Sequence, residues 1–152
     1  MTREFETLAD FKAAAGQELG TSEWVTVTQE KINLFADATG DHQWIHVDPE
    51  AAAKGPFGKP IAHGYLTLSL LPVFTSQIYS VKSVVMGVNY GANKVRFPHP
   101  VPVDSKVRAT ATLKETQDIA IGTQAIVSVV VEIDGVEKPA CIAEVVYVMA
   151  EG

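Results

Sequence analysis

Cysteine is almost absent from this sequence, which has 152 residues and a single thiol at Cys141. A lone cysteine cannot form a disulfide within the chain, which predicts a reducing compartment. The N-terminus is acidic and has no apolar signal core, so we expect a soluble, cytoplasmic protein. Cys141 lies in an apolar run, and this position favours a small core residue over a nucleophile.

Long hydrophobic runs and an excess of positive charge are absent too. The most apolar stretch, residues 65–79, is interrupted by serine, threonine, proline and glutamine and is too short to span a bilayer. The formal net charge is −6, which argues against nucleic acid as the main partner. We therefore expect neither a membrane nor a nucleic acid to be the partner of this protein.

Charge is distributed unevenly along the chain. Residues 51–108 contain only one acidic residue, Asp104. The same stretch contains seven basic residues: Lys54, Lys59, Lys82, Lys94, Arg96, Lys106 and Arg108. Solvated loop charges are the simpler explanation of this basic middle segment, and a phosphate-bearing ligand is the alternative.

Cofactor and nucleophile signatures are missing as well. The sequence has no glycine-rich nucleotide fingerprint and no Gly-x-Ser-x-Gly elbow, so neither a redox cofactor nor a serine nucleophile is indicated. It also has no internal repeat, low-complexity tract or linker. With 47% apolar residues over this length, the chain is predicted to form a single domain spanning residues 1–152.

What the sequence does contain begins with helix signals in its first half. Capping threonine and aspartate residues and a stopping glycine mark the boundaries. The pattern predicts a weak helix over residues 5–18, a short strand over 24–27, a helix from Thr28 to about Gly40 and another helix from Asp48. Glycine and proline dominate residues 54–60, which are predicted to form a loop.

A longer helix is predicted over residues 64–78. Leucine, valine, phenylalanine and isoleucine occur on all of its faces, which indicates a central helix buried inside the protein. Pro72 lies in its middle and should kink the helix or split it in two.

The second half of the chain is rich in β-branched residues. Strands are predicted over residues 84–90, 93–97, 107–113, 119–133 and 136–149. Gly122 could mark a bulge, and Asp134-Gly135 is a strong signal for a two-residue hairpin turn. Together the patterns predict an α+β protein in which a long antiparallel β-sheet wraps around the central helix.

An acid and an imidazole stand five positions apart in the segment that follows Gly40. Asp41 and His46 could jointly hold and polarise a water molecule, and we predict that this segment is not helical. Each residue also has a simpler explanation, Asp41 as a turn residue after Gly40 and His46 as a satisfied polar residue near the core. A second block in the sequence favours the catalytic interpretation.

That second block is the His63-Gly64 pair, which opens the apolar helix. The backbone N–H of Gly64 could stabilise a developing oxyanion, because the first N–H groups of a helix have no intrahelical acceptor. Alternatively, Gly64 is simply the point where the chain turns into the helix. His63 could cap the helix or line a substrate pocket.

His42 raises the question of a metal site, because His42 and His46 are four residues apart. That spacing presents two ligands on one face only within a helix. Gly40 before the pair and the β-prone Trp44-Ile45 inside it disfavour a helix, so no metal is expected.

Both blocks resemble those of the MaoC-like dehydratases, specifically the (R)-specific enoyl-CoA hydratases of the hot-dog fold. The family motif places Gly-Asp, one variable residue and then Asn-Pro-apolar-His, with an apolar residue and His-Gly farther along the chain. Here the blocks are residues 40–46 and 61–64, and the likeness runs from about residue 23 to 148. The usual Asn-Pro is replaced by Gln43-Trp44, which alters the stiffness of the loop and one wall of the acyl pocket.

The resemblance implies a reaction and the residues that perform it. Water would add reversibly and syn to trans-2-enoyl-CoA, giving (3R)-hydroxyacyl-CoA. Asp41 and His46 would be the catalytic pair, with Gly64 as the oxyanion donor. No cofactor is implied other than the CoA of the substrate itself.

The resemblance also implies substrate contacts and an oligomer. An acyl tunnel would pass Trp44, Tyr65 and Leu68 along the central helix. A homodimer is expected, because pairing of two sheet edges across a two-fold axis removes an exposed edge. The alternatives on the same fold are an acyl-CoA thioesterase and a non-catalytic module that binds acyl thioesters.

Residues 89–97 are similar to a block that related chains carry on a strand near the central helix. Asn89 or Asn93 could hydrogen-bond the active-site loop. Lys94 or Arg96 could contact the CoA phosphates, and Arg96 could equally pair with a carboxylate across a subunit interface.

Overall fold

Helices occupy most of the first half of the chain and long strands the second half, as the sequence predicts. The protein was studied as a computed structural model, which describes residues 2–152. The elements are β1 (Arg3–Phe5), α1 (Leu8–Ala13), β2 (Glu18–Thr21), β3 (Val25–Thr26), α2 (Gln29–Thr39), α3 (Trp44–Val47), α4 (Pro49–Ala53), α5 (Gly64–Ser69), α6 (Leu71–Ile78), β4 (Tyr79–Val81), β5 (Val84–Arg96), β6 (Lys106–Ile119), β7 (Gly122–Ile133) and β8 (Cys141–Glu151).

The main sheet has six strands in the order β2-β6-β7-β8-β5, with β3 also paired to β6. All of these pairings are antiparallel, and the β6–β7 hairpin runs from Val107 opposite Ile133 to Ile119 opposite Gly122. A separate two-stranded parallel sheet joins β1 to β4. The expected α+β architecture with a long antiparallel sheet is therefore confirmed.

One face of the sheet is apolar because alternate side chains of the long strands point to it and are hydrophobic. In β7 every second residue is buried, including Val127, Val129 and Val131. Leu71, Phe74 and Ile78 of α6 are 2% exposed or less and belong to the same hydrophobic cluster. Burial of these side chains, at about 1.5–3 kcal/mol each, holds the helix on the sheet.

The central helix is divided as the sequence predicts, with α5 ending at Ser69 and α6 beginning at Leu71. Pro72 lies in the first turn of α6, where a missing N–H breaks no intrahelical bond. The helix is not buried on all sides as we expected, since Tyr65 is 69% and Val73 41% exposed. The sheet of a single chain covers only one face of this helix.

The N-terminal region differs from the single weak helix predicted over residues 5–18. Only α1 is helical, and Thr7 and Asp10 form a capping box at its start. Phe5 instead pairs in β1 with β4, and Gly16 adopts a positive φ of 88° after the helix. The ring of Phe11 stacks on Tyr79 at 5.3 Å, which fixes α1 against the core.

Three details of the predicted strands were wrong. The predicted break around Gly91 is absent, because β5 runs continuously and takes up irregularities in its pairing with β8 there. Gly122 is no bulge but the first residue of β7 after a tight turn, and a Cβ at this glycine would overlap the carbonyl oxygen of Met149. Asp134-Gly135 does not form a two-residue hairpin, since β8 begins only at Cys141.

The longer connection between β7 and β8 has a local cause. The N–H of Val136 donates to the Ile133 carbonyl at 3.1 Å and closes a turn around Asp134-Gly135. Pro139 follows within the predicted strand and has no N–H to offer a ladder. Pairing resumes after the N–H of Ala140 bonds to Val131 at 2.8 Å.

Cys141 starts β8 and is fully buried, which confirms that it is a core residue. Desolvation raises the pKa of its thiol to about 11, so little thiolate forms near neutral pH. Within residues 2–152, every helix is too short or too polar to cross a membrane.

Candidate active site

Helix α2 delivers Asp41 to the site. Its start is capped by Thr28, whose hydroxyl accepts from the N–H of Lys31 at 3.2 Å. Its end is set by Gly40, which has a left-handed φ of 87° and donates its N–H to Ala36 at 2.8 Å. Because glycine adopts this conformation without strain, the chain turns sharply here and Asp41 emerges exposed at the helix end.

The segment after Asp41 is partly helical, which corrects our prediction. Residues 44–47 form the single turn α3, closed by bonds from the N–H of His46 to Gln43 at 3.0 Å and from the N–H of Asp48 to Trp44 at 3.1 Å. Asp48 then caps α4 by accepting from Ala51 at 3.1 Å. His42 stands outside the turn, so it does not share a helical face with His46.

His46 is buried at 7% exposure, and two further hydrogen bonds hold it besides the one from its N–H to Gln43. Its Nδ1 lies 2.7 Å from the carbonyl oxygen of Ile61, and its own carbonyl accepts from the side chain of Gln29 at 2.8 Å. Since a carbonyl only accepts, Nδ1 must carry the proton, and Nε2 is left with a lone pair.

The electrostatic environment keeps this imidazole neutral. Burial is the main cause that lowers the pKa of His46 below 6.5, and the proximity of His63 acts in the same direction. The bond to Ile61 opposes this effect by raising the pKa. A neutral imidazole with a free Nε2 can accept a proton from water at neutral pH.

His63 lies immediately behind His46. The two rings stack with 3.9 Å between centroids and 25° between planes, and Phe35 packs on His63 at 4.9 Å. The Nε2 of His63 is 2.9 Å from the carbonyl oxygen of Asp41. His63 precedes α5 but makes no capping bond to it, and among the described residues its Nδ1 has no hydrogen-bond partner.

Asp41, His46 and His63 form one cluster, in which a carboxylate oxygen and one nitrogen of each ring lie within 4.8 Å of one another. Two acceptors at this separation can share a water at about 2.8 Å from each. A metal fits poorly, because the in-plane lone pairs of the two stacked rings lie in nearly parallel planes with 3.9 Å between ring centroids, whereas a metal at about 2.0 Å from each nitrogen needs the lone pairs to converge. The expected absence of a metal stays a prediction.

A cavity of about 260 Å³ opens beside this cluster. Its walls include His46, Phe57, Gly64, Thr67, Phe97 and His99. Gly64 is the first residue of α5, so its N–H has no intrahelical acceptor. A Cβ at Gly64 would stand 3.0 Å from the ring of Phe97, so close packing also favours glycine here.

Sequence reasoning did not identify Phe57, Phe97 or His99 as cavity residues. They come from two proline-rich loops that are joined by an N–H···O bond from Ala62 to Val101 at 2.8 Å and another from Val103 to Pro60 at 2.9 Å. Such a long-range contact leaves no local pattern. The one available signal was His99 between two prolines, a rigid setting for an imidazole whose Nδ1 donates to Pro100 at 2.6 Å.

Two predicted substrate residues are not in the wall of the cavity. Trp44 is 44% exposed and covers Gly55, where a Cβ would stand 2.7 Å from the indole ring. Tyr65 is 69% exposed and meets Phe97 edge to face at 6.1 Å between centroids.

The predicted residues of β5 lie elsewhere. Asn89 lines a different cavity of about 460 Å³ together with Leu68 and Tyr147, so the structure does not bring it to His46. Lys94 and Arg96 are exposed, and neither forms an ion pair within residues 2–152. Arg96 directly precedes Phe97 of the cavity wall.

This chain has sequence relatives over most of its length. Residues 10–135 match the family described as MaoC like domain. A 3-hydroxyacyl-thioester dehydratase Z from Mycobacterium tuberculosis is 63% identical over 143 residues, which span 93% of this chain and 95% of the relative. Nodulation protein N from Rhizobium leguminosarum bv. viciae is 49% identical over 142 residues, spanning 90% and 87% of the two chains.

Solved structures share the fold. A monoamine oxidase regulatory protein from Archaeoglobus fulgius aligns with a TM-score of 0.78 at 27% identity, covering 100% of this chain and 99% of that one. The R-hydratase PhaJ1 from Pseudomonas aeruginosa aligns with a TM-score of 0.73 at 20% identity over 91% and 83% of the chains. This chain therefore belongs to the MaoC-like dehydratase family and has its hot-dog fold.

Proposed function

We propose that this hydro-lyase interconverts a trans-2-enoyl-CoA and a (3R)-hydroxyacyl-CoA. The observation that carries the proposal is the placement of the Asp41 carboxylate and a neutral His46 within 4.8 Å, with His46 in the wall of the cavity that contains Gly64. The name of the M. tuberculosis relative, a 3-hydroxyacyl-thioester dehydratase, supports a thioester as the substrate.

In the hydration direction, the Asp41 carboxylate and His46 Nε2 hold one water. The water oxygen attacks C3 as the pair removes one of its protons, and the same pair returns a proton to C2. Both new bonds therefore form on one face of the alkene, which gives syn addition, and no net proton is gained or lost. We assign the role of base to both groups together.

Negative charge grows on the thioester oxygen during this attack. We assign the N–H of Gly64 as the hydrogen-bond donor to this oxygen. Loss of one such donor typically costs about 10²–10³ in rate. The absence of a Cβ at Gly64 lets the thioester approach the main chain closely.

Contacts to the rest of the substrate are assigned on position and charge. The rings of Trp44 and Tyr65 are exposed, and Tyr65 contacts Phe97 of the cavity wall, so both suit a contact with the acyl or pantetheine chain. Lys94 and Arg96 have no carboxylate partner within residues 2–152 and suit the CoA phosphates. Asn89, in its separate cavity, suits a contact farther along the substrate or across a subunit interface.

A homodimer is part of the proposal. Strand β5 is an edge of the sheet and is exposed along almost all of its length, including Val85, Met86 and Tyr90. Pairing of this edge with a second copy would satisfy its free main-chain groups and cover these apolar side chains. Sedimentation equilibrium of the wild type and of Tyr90→Lys tests this, and a monomeric wild type would contradict it.

Loss of the conjugated enoyl-thioester absorbance on mixing with crotonyl-CoA tests the activity. Wild-type protein should consume the substrate and Asp41→Asn should be inactive although folded, since the amide cannot accept a proton from water. Chiral analysis of the product should give the (R) alcohol. Equal turnover by both proteins, an (S) product, or thiol release from a saturated acyl-CoA in place of hydration would each overturn the proposal.

A further inference from the structure

We infer that His63 is a positioning residue that fixes Asp41 and His46 relative to each other, rather than a contact to the substrate. The kinetic part of this inference rests on the function proposed above. His63 is 3% exposed and is not part of the wall of the cavity that His46 and Gly64 line. Its polar and stacking contacts instead reach the two catalytic residues.

The hydrogen bond to Asp41 is the first of these contacts. The carbonyl of Asp41 can only accept, so the 2.9 Å separation requires a proton on Nε2 of His63. The other bonds of Asp41 are longer, at 3.5 Å from its N–H to Thr39 and 3.4 Å from the N–H of Gln43 to its carboxylate. The buried imidazole is therefore the firmest restraint on an otherwise exposed residue.

The stack on His46 is the second contact. The ring of Phe35 packs against His63, and the ring of His46 stacks on His63 with 3.9 Å between centroids. The stack limits rotation of the His46 ring, while the bond to Ile61 at 2.7 Å sets its direction in the ring plane. Residues 61–64 thus restrain the main chain of Asp41 and the ring of His46, and they also supply the N–H of Gly64.

Other roles for His63 account for less of the geometry. It does not cap α5, and the stack with His46 disfavours a shared metal. Simple core filling is a poor explanation, because the buried Nδ1 has no partner in the described chain. An unpaired buried polar atom destabilises the folded protein, and an apolar side chain of similar size would avoid this cost. The bond from Nε2 gives histidine a reason to be here.

Two amide variants separate the bond from the packing. The side-chain nitrogen of His63→Gln can reach the place of Nε2, whereas that of His63→Asn reaches only as far as Nδ1. Misplacement of a catalytic group by about 1 Å can cost ~10² in rate, so we expect kcat of His63→Asn to fall by about 10–10². The KM should change little, because His63 lies behind the cavity wall. His63→Gln should recover most of kcat, and equal kcat values for the two variants would overturn the inference.

A readout without substrate keeps this test apart from the proposed function. Long-range ¹H–¹⁵N spectra of the wild type should show the Nε2–H tautomer for His63 and the Nδ1–H tautomer for His46. Amide exchange in residues 41–43 should accelerate in His63→Asn and not in His63→Gln. An Nδ1–H tautomer at His63 would overturn the inference. This measurement uses the wild type, so it remains decisive even if His63→Asn does not fold. A wild type with these tautomers that fails to hydrate any enoyl-CoA would instead remove the proposed function alone.

Discussion

The short segment after α2 has an inner and an outer side, and each presents a histidine. On the inner side His46 is buried, and burial lowers its pKa. On the outer side His42 is exposed and pairs with Asp37 at 2.9 Å, and this hydrogen bond raises its pKa. The pKa values of two imidazoles four residues apart are thus shifted in opposite directions. The surroundings of each ring, and not its place in the motif, decide its chemistry.

The largest contrast is expected from removing each imidazole in turn. His46→Gln should lower kcat by about 10²–10⁴, the usual contribution of a general acid–base group, since glutamine cannot accept a proton from water. His42→Gln is the matched control and should change kcat by about twofold or less, as surface substitutions usually do. Steady-state hydration of an enoyl-CoA measures both.

Circular dichroism spectra of the two variants should match that of the wild type, which excludes unfolding as the cause. A similar loss of kcat in both variants would break the comparison, because it would mean that the outer side also takes part in the chemistry.

The pH dependence of kcat/KM should sharpen the contrast. His46 acts in its neutral form, and its folded-state pKa lies below 6.5, so kcat/KM should stay level near neutral pH and fall only below 6.5, by about tenfold per pH unit at the limit. The unfolded chain binds this proton more readily, so the free energy of unfolding should also decrease as the pH falls from 6.5. His42→Gln should leave this acid limb in place, and a shifted limb would contradict the assignment.

The smallest effect is expected on thermal stability, from the pair of His42 and Asp37 on the outer side. The folded-state pKa of His42 is raised, so its pair with Asp37 stabilises the protein fully below pH 6.5 and the stabilisation is lost as the pH rises through the raised value. The Tm of the wild type should therefore exceed that of His42→Gln slightly at pH 5.5 and equal it at pH 9. The difference should be small because both side chains are exposed. A difference that grows with pH would show that the sign is wrong.

Local signals in the sequence were enough to predict several parts of this fold. The caps at Thr28 and Asp48 and the split at Pro72 depend on interactions within a few residues, and the structure contains all three. The α+β arrangement followed from alternation in the strands, which one buried face imposes. The spacing of the Asp41 and Gly64 blocks indicated the family.

Features that depend on distant contacts were not predictable in this way. The helical turn α3 forms although Trp44 and Ile45 are β-prone. Its main-chain carbonyls accept hydrogen bonds both from the N–H of Asp48 and from the side chain of Gln29, which is distant in the sequence. Phe57 and Phe97 reach one cavity only through the contact between their loops. The outward face of α5 and α6 was predicted to be buried because it is hydrophobic. The sequence did not reveal how much of these helices the sheet would cover.

The imidazoles of His46 and His63 are both held by main-chain carbonyls, which has a consequence for how this enzyme can diversify. A carbonyl is the same whichever side chain its residue bears, so the acceptor for His46 survives nearly any substitution at residue 61 that preserves the backbone path. The acceptor for His63 is the main chain of Asp41, whose side chain the reaction itself retains. The cavity walls at Phe57, Phe97 and His99 belong to other loops. Substrate range can therefore drift, or be engineered, by exchanging wall residues while the proton-transfer geometry is inherited unchanged.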